Sequence, residues 1–144
     1  MMKKTLLAIA AFLFCVQAYA YPSGCPNKSV LNGDFIMYQN AVNTNQHTGR
    51  CEVHILNGVV NSQCAFSSGF VGPVNGTATL NKNCSGTMAL SFSPASGVIV
   101  DSSFDIQLNA DKLSFAGQWS NSFGVVGTTT GVRYNALLPN TSAP

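Results

Sequence analysis

The sequence predicts an all-β domain, an antiparallel up-and-down meander of about eight strands closed into a small barrel. Strand-like runs recur between clusters of Gly, Asn and Ser, and apolar residues alternate with polar ones along them. The connections look short and sequential, as a meander requires. We favour the barrel over the alternative, a β-sandwich, because closure removes exposed strand edges.

The first 20 residues have the three parts of a secretory signal peptide. Lys3-Lys4 precedes an apolar run over residues 6–16, and Ala18-Tyr19-Ala20 forms the cleavage site. We expect cleavage between Ala20 and Tyr21, and the twin lysines favour a bacterial Sec signal. The apolar run is too short to span a membrane. The mature protein should therefore be secreted or periplasmic, with no membrane span.

The mature chain should form one barrel domain over residues 21–137, with a flexible tail at 138–144. Loss of Lys3 and Lys4 lowers the Lys and Arg count from 7 to 5, which equals the 5 Asp and Glu residues. A neutral surface argues against nucleic acid or anionic lipid as a partner, because both are bound largely through phosphate neutralisation.

Eight runs qualify as strands by their apolar alternation and their flanking turn residues. Their predicted bounds are 34–42, 49–56, 59–67, 74–81, 84–92, 97–108, 113–120 and 123–134. The Gly69-Phe70-Val71-Gly72-Pro73 segment is interpreted as a turn ahead of the fourth strand.

The second and third runs form the clearest hairpin. Asn57-Gly58 is the preferred pair for a two-residue type I′ turn, and Cys51 and Cys64 lie six residues before and after it. The pairing places these cysteines in a non-hydrogen-bonded pair with Cα atoms about 4.5 Å apart, within the range for a disulfide.

The mature chain has four cysteines, an even number that indicates two disulfides in an exported protein. Three connectivities are possible. The hairpin selects Cys51–Cys64, which leaves Cys25–Cys84. No C-x-x-C pair is present, so a zinc site is not expected.

The sixth and seventh runs predict a second hairpin around residues 109–112. If Leu108 faces Leu113, then Ile106 meets Phe115 and Phe104 meets Gly117, all on one apolar face. The fifth run adds Met88 and its neighbours to the same face. The residues predicted to line the interior, and to be the candidates for ligand binding, are Met88, Leu90, Phe92, Phe104, Ile106, Leu108, Phe115 and Trp119.

Two segments carry a family resemblance. Residues 31–36 (LNGDFI) and 74–88 (VNGTATLNKNCSGTM) resemble small exported bacterial proteins with the pattern L-x-G-x-Y/F … G-T-Y-x-V-N-x-D-C-T-G-T. The resemblance implies a lipocalin-like β-barrel and implies no activity. True lipocalins carry Gly-x-Trp near the first strand, whereas this chain has Gly33-Asp34-Phe35 there and its only Trp is Trp119.

Few residues of the sequence suggest a catalytic or metal-binding site. Glu52 and His54 share a strand face and His47 lies in the preceding loop, so a metal site or an acid/base pair is conceivable, although a solvated outer face explains them more simply. Arg133 could close a barrel end by binding carbonyls or could meet a ligand's anionic group, and we favour the first role. No catalytic or cofactor motif is present, and we expect no metal or cofactor.

The leading hypothesis is an exported barrel that binds a small hydrophobic ligand in its lumen. The alternative is a secreted interaction protein, such as an adhesin, an inhibitor or a host-facing factor, with a filled core and an extracellular partner. An enzyme, such as a barrel isomerase resembling allene oxide cyclases, would need a polar side chain in the lumen. A transmembrane eight-strand barrel would instead turn its apolar faces outward.

Overall fold

A computed structural model describes residues 24–43 and 45–134. The predicted signal peptide, its cleavage site between Ala20 and Tyr21, and the predicted tail at 138–144 lie outside these residues. The domain boundaries therefore stay predictions.

Eight antiparallel strands close into one barrel, in which each strand pairs with the next and the last pairs with the first. This confirms the predicted meander and rules out the β-sandwich. A short 3-10 helix, η1 (Lys28–Leu31), precedes the barrel. The strands are β1 (Gly33–Ala41), β2 (Thr48–Leu56), β3 (Val59–Phe66), β4 (Val71–Leu80), β5 (Ser85–Ala95), β6 (Val98–Leu108), β7 (Ser114–Asn121) and β8 (Val126–Arg133).

Alternating burial along the strands separates an apolar interior from a polar outer wall. In β2, for example, Cys51, Val53 and Ile55 are buried, whereas Glu52 and His54 are exposed. Inward apolar side chains of β1 to β7 belong to one packed hydrophobic cluster, and β8 faces the interior with Gly127, Thr129 and Gly131. A barrel of eight strands is just wide enough for its side chains to fill it.

The β2–β3 hairpin has the predicted register. Leu56 pairs with Val59 and Cys51 pairs with Cys64. Asn57 and Gly58 have φ angles of 52° and 87°, as a type I′ turn requires. The Cys51–Cys64 disulfide has a Cα–Cα distance of 4.0 Å, so the predicted bridge is confirmed.

The second predicted disulfide, Cys25–Cys84, is also present, with a Cα–Cα distance of 5.1 Å. Cys84 has a φ of 66° and ends the turn between β4 and β5. The bridge ties the segment before η1 to the end of the barrel. A hydrogen bond of 2.9 Å from Cys25 N to Lys82 O supports the same attachment.

The predicted β6–β7 register is wrong by two residues. Leu108 pairs with Phe115, Ile106 with Gly117 and Phe104 with Trp119. Leu113 does not join the apolar face, because it lies in the turn and is 43% exposed. The turn is longer than predicted because Asn109 N donates to Ser114 O over 2.8 Å and Lys112 adopts a φ of 59°. Side chains alternate with a period of two, so a register shift of two residues leaves the remaining side chains on their predicted faces.

Two predicted strand starts also need correction. The segment 69–73 is not all turn, because β4 begins at Val71 and only residues 67–70 form the connection. Pro73 fits within the strand as the partner of Gln63. In the last strand, Phe123 and Gly124 belong to the turn and β8 begins at Val126.

Three aromatic rings pack over glycines on the neighbouring strand. Phe115 pairs with Gly131 and Trp119 pairs with Gly127, while Phe66 pairs with Gly49. A Cβ at Gly127 would lie 2.6 Å from Trp119 Nε1, and a Cβ at Gly131 would overlap the Phe115 ring. These glycines therefore make room for large rings inside a narrow barrel.

The connections divide the barrel into two ends. We call the end that carries η1 and the turns at 57–58, 81–84 and 109–113 the closed end. The open end carries the connections at 42–47, 67–70, 96–97 and 122–125. The antiparallel meander alternates between them, so each strand runs from one end to the other.

Arg133 seals the closed end, as the sequence predicted. Its guanidinium lies 4.7 Å from the centre of the Phe35 ring. It donates to Asn32 O over 2.7 Å, to Lys112 O over 2.8 Å and also to Val30 O. Burial lowers the pKa of Arg133 from its ordinary value, but a guanidinium stays protonated in proteins. The charge is therefore engaged by backbone carbonyls.

Candidate functional site

A chamber of about 180 Å³ lies inside the open end, and we call it the mouth chamber. Its lining is mostly aromatic and aliphatic. It comes from the β1–β2, β3–β4 and β7–β8 connections and from the strand ends next to them, and β5 and β6 contribute in place of the β5–β6 turn. The lining residues are Asn45, His47, Phe66, Ser68, Phe70, Phe92, Pro94, Val100, Asn121, Phe123 and Val125.

Three phenylalanines form one wall of the mouth chamber. The Phe70 and Phe92 ring centres are 4.7 Å apart, and Phe66 lies 5.3 Å from Phe92 and 5.6 Å from Phe70. Phe66 is buried, whereas Phe70 and Phe92 are half-buried. Half-buried rings in mutual contact leave apolar faces available to a ligand.

His47 connects this wall to the core. Its ring centre is 6.0 Å from Phe66 and 5.9 Å from Trp119. Nδ1 lies 2.7 Å from Asn45 O. If Nδ1 donates this hydrogen bond, Nε2 is the acceptor of the neutral ring. Trp119 Nε1 donates to Thr128 O over 3.1 Å, and the Trp119 ring stacks on Phe104 at 6.1 Å between ring centres.

A β-bulge shapes one side of the chamber. The β5–β6 register shifts between Phe92 and Ala95, which leaves Ser93 and Pro94 without regular partners. Proline cannot donate to a ladder, so it is tolerated at such a bulge. Ser93 Oγ lies 2.9 Å from Ala95 O and 2.8 Å from Val98 O, and its single proton is shared between these two carbonyls, which holds the bulge in place.

Among the described residues, three polar side chains are buried in the interior, namely Gln39, Ser62 and Thr129. Thr129 Oγ1 donates to Tyr38 O over 2.9 Å, and Ser62 Oγ donates to Val74 O. Gln39 Nε2 lies 3.6 Å from Cys51 Sγ. These groups are uncharged and can orient a ligand only by hydrogen bonding.

The eight predicted interior residues all lie inside the barrel. Phe92 is half-buried at the mouth chamber, and the other seven are buried in the core. Phe35 packs on Phe115 at 5.5 Å between ring centres, which fills the closed half. Ligand contact by these residues stays a prediction, and Phe92 is the member of the set that lines the chamber.

The structure does not bring His47, Glu52 and His54 together. His47 lies at the mouth chamber, whereas Glu52 and His54 stand on the outer wall. Among the described residues, no group of three or more His, Cys, Asp or Glu side chains could hold a metal ion. Within the same part of the chain, no helix has the length and apolar character needed to cross a membrane.

Sequence reasoning missed Phe66, Phe70 and Val125 as chamber residues. Phe66 has the same parity as Cys64 and Ser62, so alternation could have identified it. Phe70 falls in a segment interpreted as a turn, and Val125 falls in a predicted strand although it lies in a turn. No local signal shows that these loops meet at one end.

The open end presents exposed apolar side chains, and its connections carry no charged residue. None of its four connections contains Asp, Glu, Lys or Arg. Phe123 is 64% exposed and Val42 is 54% exposed. Large apolar residues exposed around a pocket are typical of an interaction or entry site.

The chain matches no protein-family model and no curated protein. Several solved β-barrel structures are similar to it. The redesigned barrel mFAP0 bound to DFHBI is 14% identical, with a TM-score of 0.59 over 72% of this chain and 99% of that chain. The redesigned barrel b11L5F_LGL is 18% identical, with a TM-score of 0.59 over 76% and 96%. At such identities the likeness shows the fold alone, and this chain has the fold of a small closed β-barrel.

Proposed function

We propose that this protein is an exported binding barrel that holds a small apolar ligand in its mouth chamber. The observation that carries the proposal is the convergence of Phe66, Phe70 and Phe92 on an open chamber. The interior below it is packed, so the ligand would enter the open end and stop at the level of His47 and Trp119.

The size of the chamber limits the ligand. Its volume of about 180 Å³ is close to that of an engineered apolar cavity of roughly 150 Å³ that binds benzene. It is smaller than the roughly 300–1,000 Å³ of most ligand pockets. A single ring or a short aliphatic chain is the appropriate class, with part of the molecule left in contact with Phe123.

Binding is favoured over turnover by the chemistry of the interior. Gln39, Ser62 and Thr129 are uncharged, and two of them already donate to backbone carbonyls. The designed barrel mFAP0 was solved with the small molecule DFHBI bound, which indicates that this fold can carry a ligand. His47 Nε2 would supply the chamber with one hydrogen-bonding group.

Ligand binding can be tested by titrating the mature protein with p-xylene, phenol and 1-hexanol while Trp119 fluorescence is recorded. We expect a saturable change, because Trp119 contacts His47 at the floor of the chamber. Val100 is buried and lines the chamber, so Val100→Phe should fill it and weaken binding at least about tenfold. Val42→Phe adds the same group outside the chamber and should bind like the wild type.

An unsaturable response, or equal binding by Val100→Phe and the wild type, would remove the proposal. A variant that unfolds is recognised by its far-UV circular dichroism. In that case Val125→Phe replaces it, because Val125 lines the same chamber from the β7–β8 turn.

Export is proposed from the leader and from the two disulfides, which persist in oxidising compartments. Expression of the full chain in a Sec-competent bacterium should yield a periplasmic or secreted protein whose N-terminus is Tyr21. Recovery of an uncleaved, cytoplasmic protein would contradict export, and it would leave the ligand site to be tested separately.

A further inference from the structure

The outer wall of β1–β4 carries a concave surface away from the mouth chamber, and we call it the side groove. It is open to solvent and has a volume of about 620 Å³, and three other depressions of the described surface have volumes of about 550, 450 and 440 Å³. Its outward-facing side chains are Asp34, Ile36, Glu52, His54, Asn61, Gln63, Asn75 and Tyr134. All four volumes fall within the range of small-molecule sites, so the side groove is distinguished by its side chains.

Sheet register arranges the polar groups of the side groove in rows. Asp34 pairs with His54, His54 with Asn61, and Asn61 with Asn75, so one row crosses four strands. In the next row Glu52 pairs with Gln63. Neighbouring side chains in a row are about 5 Å apart, and the two rows are about 7 Å apart.

The charged groups of the side groove are already paired. His54 Nδ1 lies 2.6 Å from Asp34 Oδ1, and Arg50 Nη1 donates to Glu52 Oε1 over 3.0 Å. The Glu52 hydrogen bond raises the pKa of Arg50 from its ordinary value. The surface is thus poorly suited to an isolated anion. Its two carboxylates each have a side-chain partner and do not converge on a position for a cation.

The amide side chains are the unpaired polar groups of the side groove. Asn61, Gln63 and Asn75 are exposed, and their side chains make no hydrogen bond to another residue in the described part of the chain. Each amide offers two donors and one acceptor with two lone pairs in a plane. Such a group can donate to one hydroxyl and accept from the next.

The groove also has apolar surface beside its polar rows. Tyr134 is 44% exposed and follows Arg133, the β8 partner of Phe35, so it lies next to Asp34. Ile36 is buried and belongs to the Glu52 row, because it pairs with Glu52 on β2 and with Val132 on β8. An exposed aromatic ring offers a face on which an apolar surface of a ligand can pack.

We propose that the side groove is a binding site for a neutral saccharide. A sugar carries many hydroxyls that both donate and accept, together with C–H faces that pack on aromatic rings. The free amides of Asn61, Gln63 and Asn75 would meet the hydroxyls, and Tyr134 would meet a C–H face. Asp34 and Glu52 already have side-chain partners, which fits a ligand without formal charge, and the open shape fits an oligosaccharide.

The test uses ¹⁵N-labelled mature protein and four probes: cellotetraose, chitotetraose, maltotetraose and mannotetraose. Binding of at least one probe should shift the side-chain amide signals of Asn61, Gln63 and Asn75 and leave those of Gln118 unchanged. Gln118 is exposed on β7 on another part of the wall, and it serves as an internal control.

Matched variants then test the assignment. Asn61→Ala combined with Gln63→Ala removes two amide partners and should weaken binding at least about tenfold. Gln118→Ala should bind like the wild type, and all variants should keep the wild-type circular dichroism because these side chains are exposed. The Val100→Phe variant should retain saccharide binding, which separates the side groove from the mouth chamber.

The proposal is overturned if none of the four probes shifts any amide signal. It is also overturned if the Asn61/Gln63 variant binds as tightly as the Gln118 variant. Binding that occurs only with the anionic tetragalacturonate would equally contradict a site for a neutral saccharide.

Discussion

The two ends of the barrel are built from the same eight strands but differ in the side chains and connections that cover them. At the closed end, Arg133 donates to three carbonyls and covers Phe35, while the Cys25–Cys84 disulfide ties down the preceding segment. At the open end, the connections contain no Asp, Glu, Lys or Arg, and Phe70, Phe92 and Phe123 stay partly exposed.

The closed end therefore contributes more to the stability of the fold, whereas the open end carries the proposed ligand site. At the closed end, burial removes water from three backbone carbonyls. Arg133 donates charge-assisted hydrogen bonds to them, and such bonds are stronger than neutral ones. Apolar side chains are exposed at both ends, but those of the open end surround a chamber, and their contact with water costs free energy unless a ligand covers them. The predicted effects of substitutions should therefore fall from the closed end to the open end.

The largest loss is expected on removing the closed-end disulfide with Cys25→Ala and Cys84→Ala. The bridge spans 59 residues, so chain entropy predicts a loss of about 4 kcal/mol in the free energy of unfolding. Urea unfolding would measure it. Removing Cys51–Cys64, which spans 13 residues, should cost about 3 kcal/mol. A larger loss at Cys51–Cys64 than at Cys25–Cys84 would contradict this order.

Arg133→Gln should lower the free energy of unfolding by about 3 kcal/mol, because three carbonyls lose a charged donor. Arg50→Gln is the matched control. Arg50 lies in an exposed ion pair with Glu52, and such pairs contribute about 0–1 kcal/mol. Equal midpoints in urea for the two variants would show that Arg133 does not hold the closed end.

Gly131→Ala tests the packing of an aromatic ring over a glycine. The new methyl group would overlap the Phe115 ring, and overpacking of this kind costs about 2 kcal/mol. The double variant with Phe115→Leu should recover part of this loss because the smaller side chain leaves room. Thermal unfolding of the two single variants and the double variant gives the coupling, and additive losses would refute the overlap.

The smallest effect is expected at the open end. Phe70→Ala should lower the free energy of unfolding by about 1 kcal/mol, because the ring is half-buried and its contacts with Phe66 and Phe92 are at the chamber surface. Its effect on ligand binding should exceed its effect on stability. Phe35→Ala, at the closed end, should cost about 4 kcal/mol. Equal losses for the two would remove the distinction between the ends.

Local patterns were sufficient to predict much of the fold. The Asn57-Gly58 turn determined the β2–β3 register, and the register in turn identified both disulfides. The β6–β7 register was not predicted correctly, because alternation specifies a face but cannot distinguish two registers that differ by two residues. The Lys112 conformation and the Asn109 hydrogen bond decided between them.

The candidate sites were harder to predict because they depend on contacts between distant segments. Phe92 was identified from its strand parity, but its partner Phe66 reaches it from the end of β3 and Phe70 from the β3–β4 connection. The side groove likewise depends on Asn61 and Asn75 lying opposite each other. The polarity of these residues is visible in the sequence, whereas the concavity that they share exists only once the strands have paired.

The barrel has a packed closed half and an open apolar chamber. A crystal of the mature protein pressurised with xenon tests this division most directly, because xenon occupies dry apolar cavities. We predict xenon density at the open end, between Phe92 and Val125. Density between Phe104 and Phe115, or an open end without xenon, would contradict this division of the barrel.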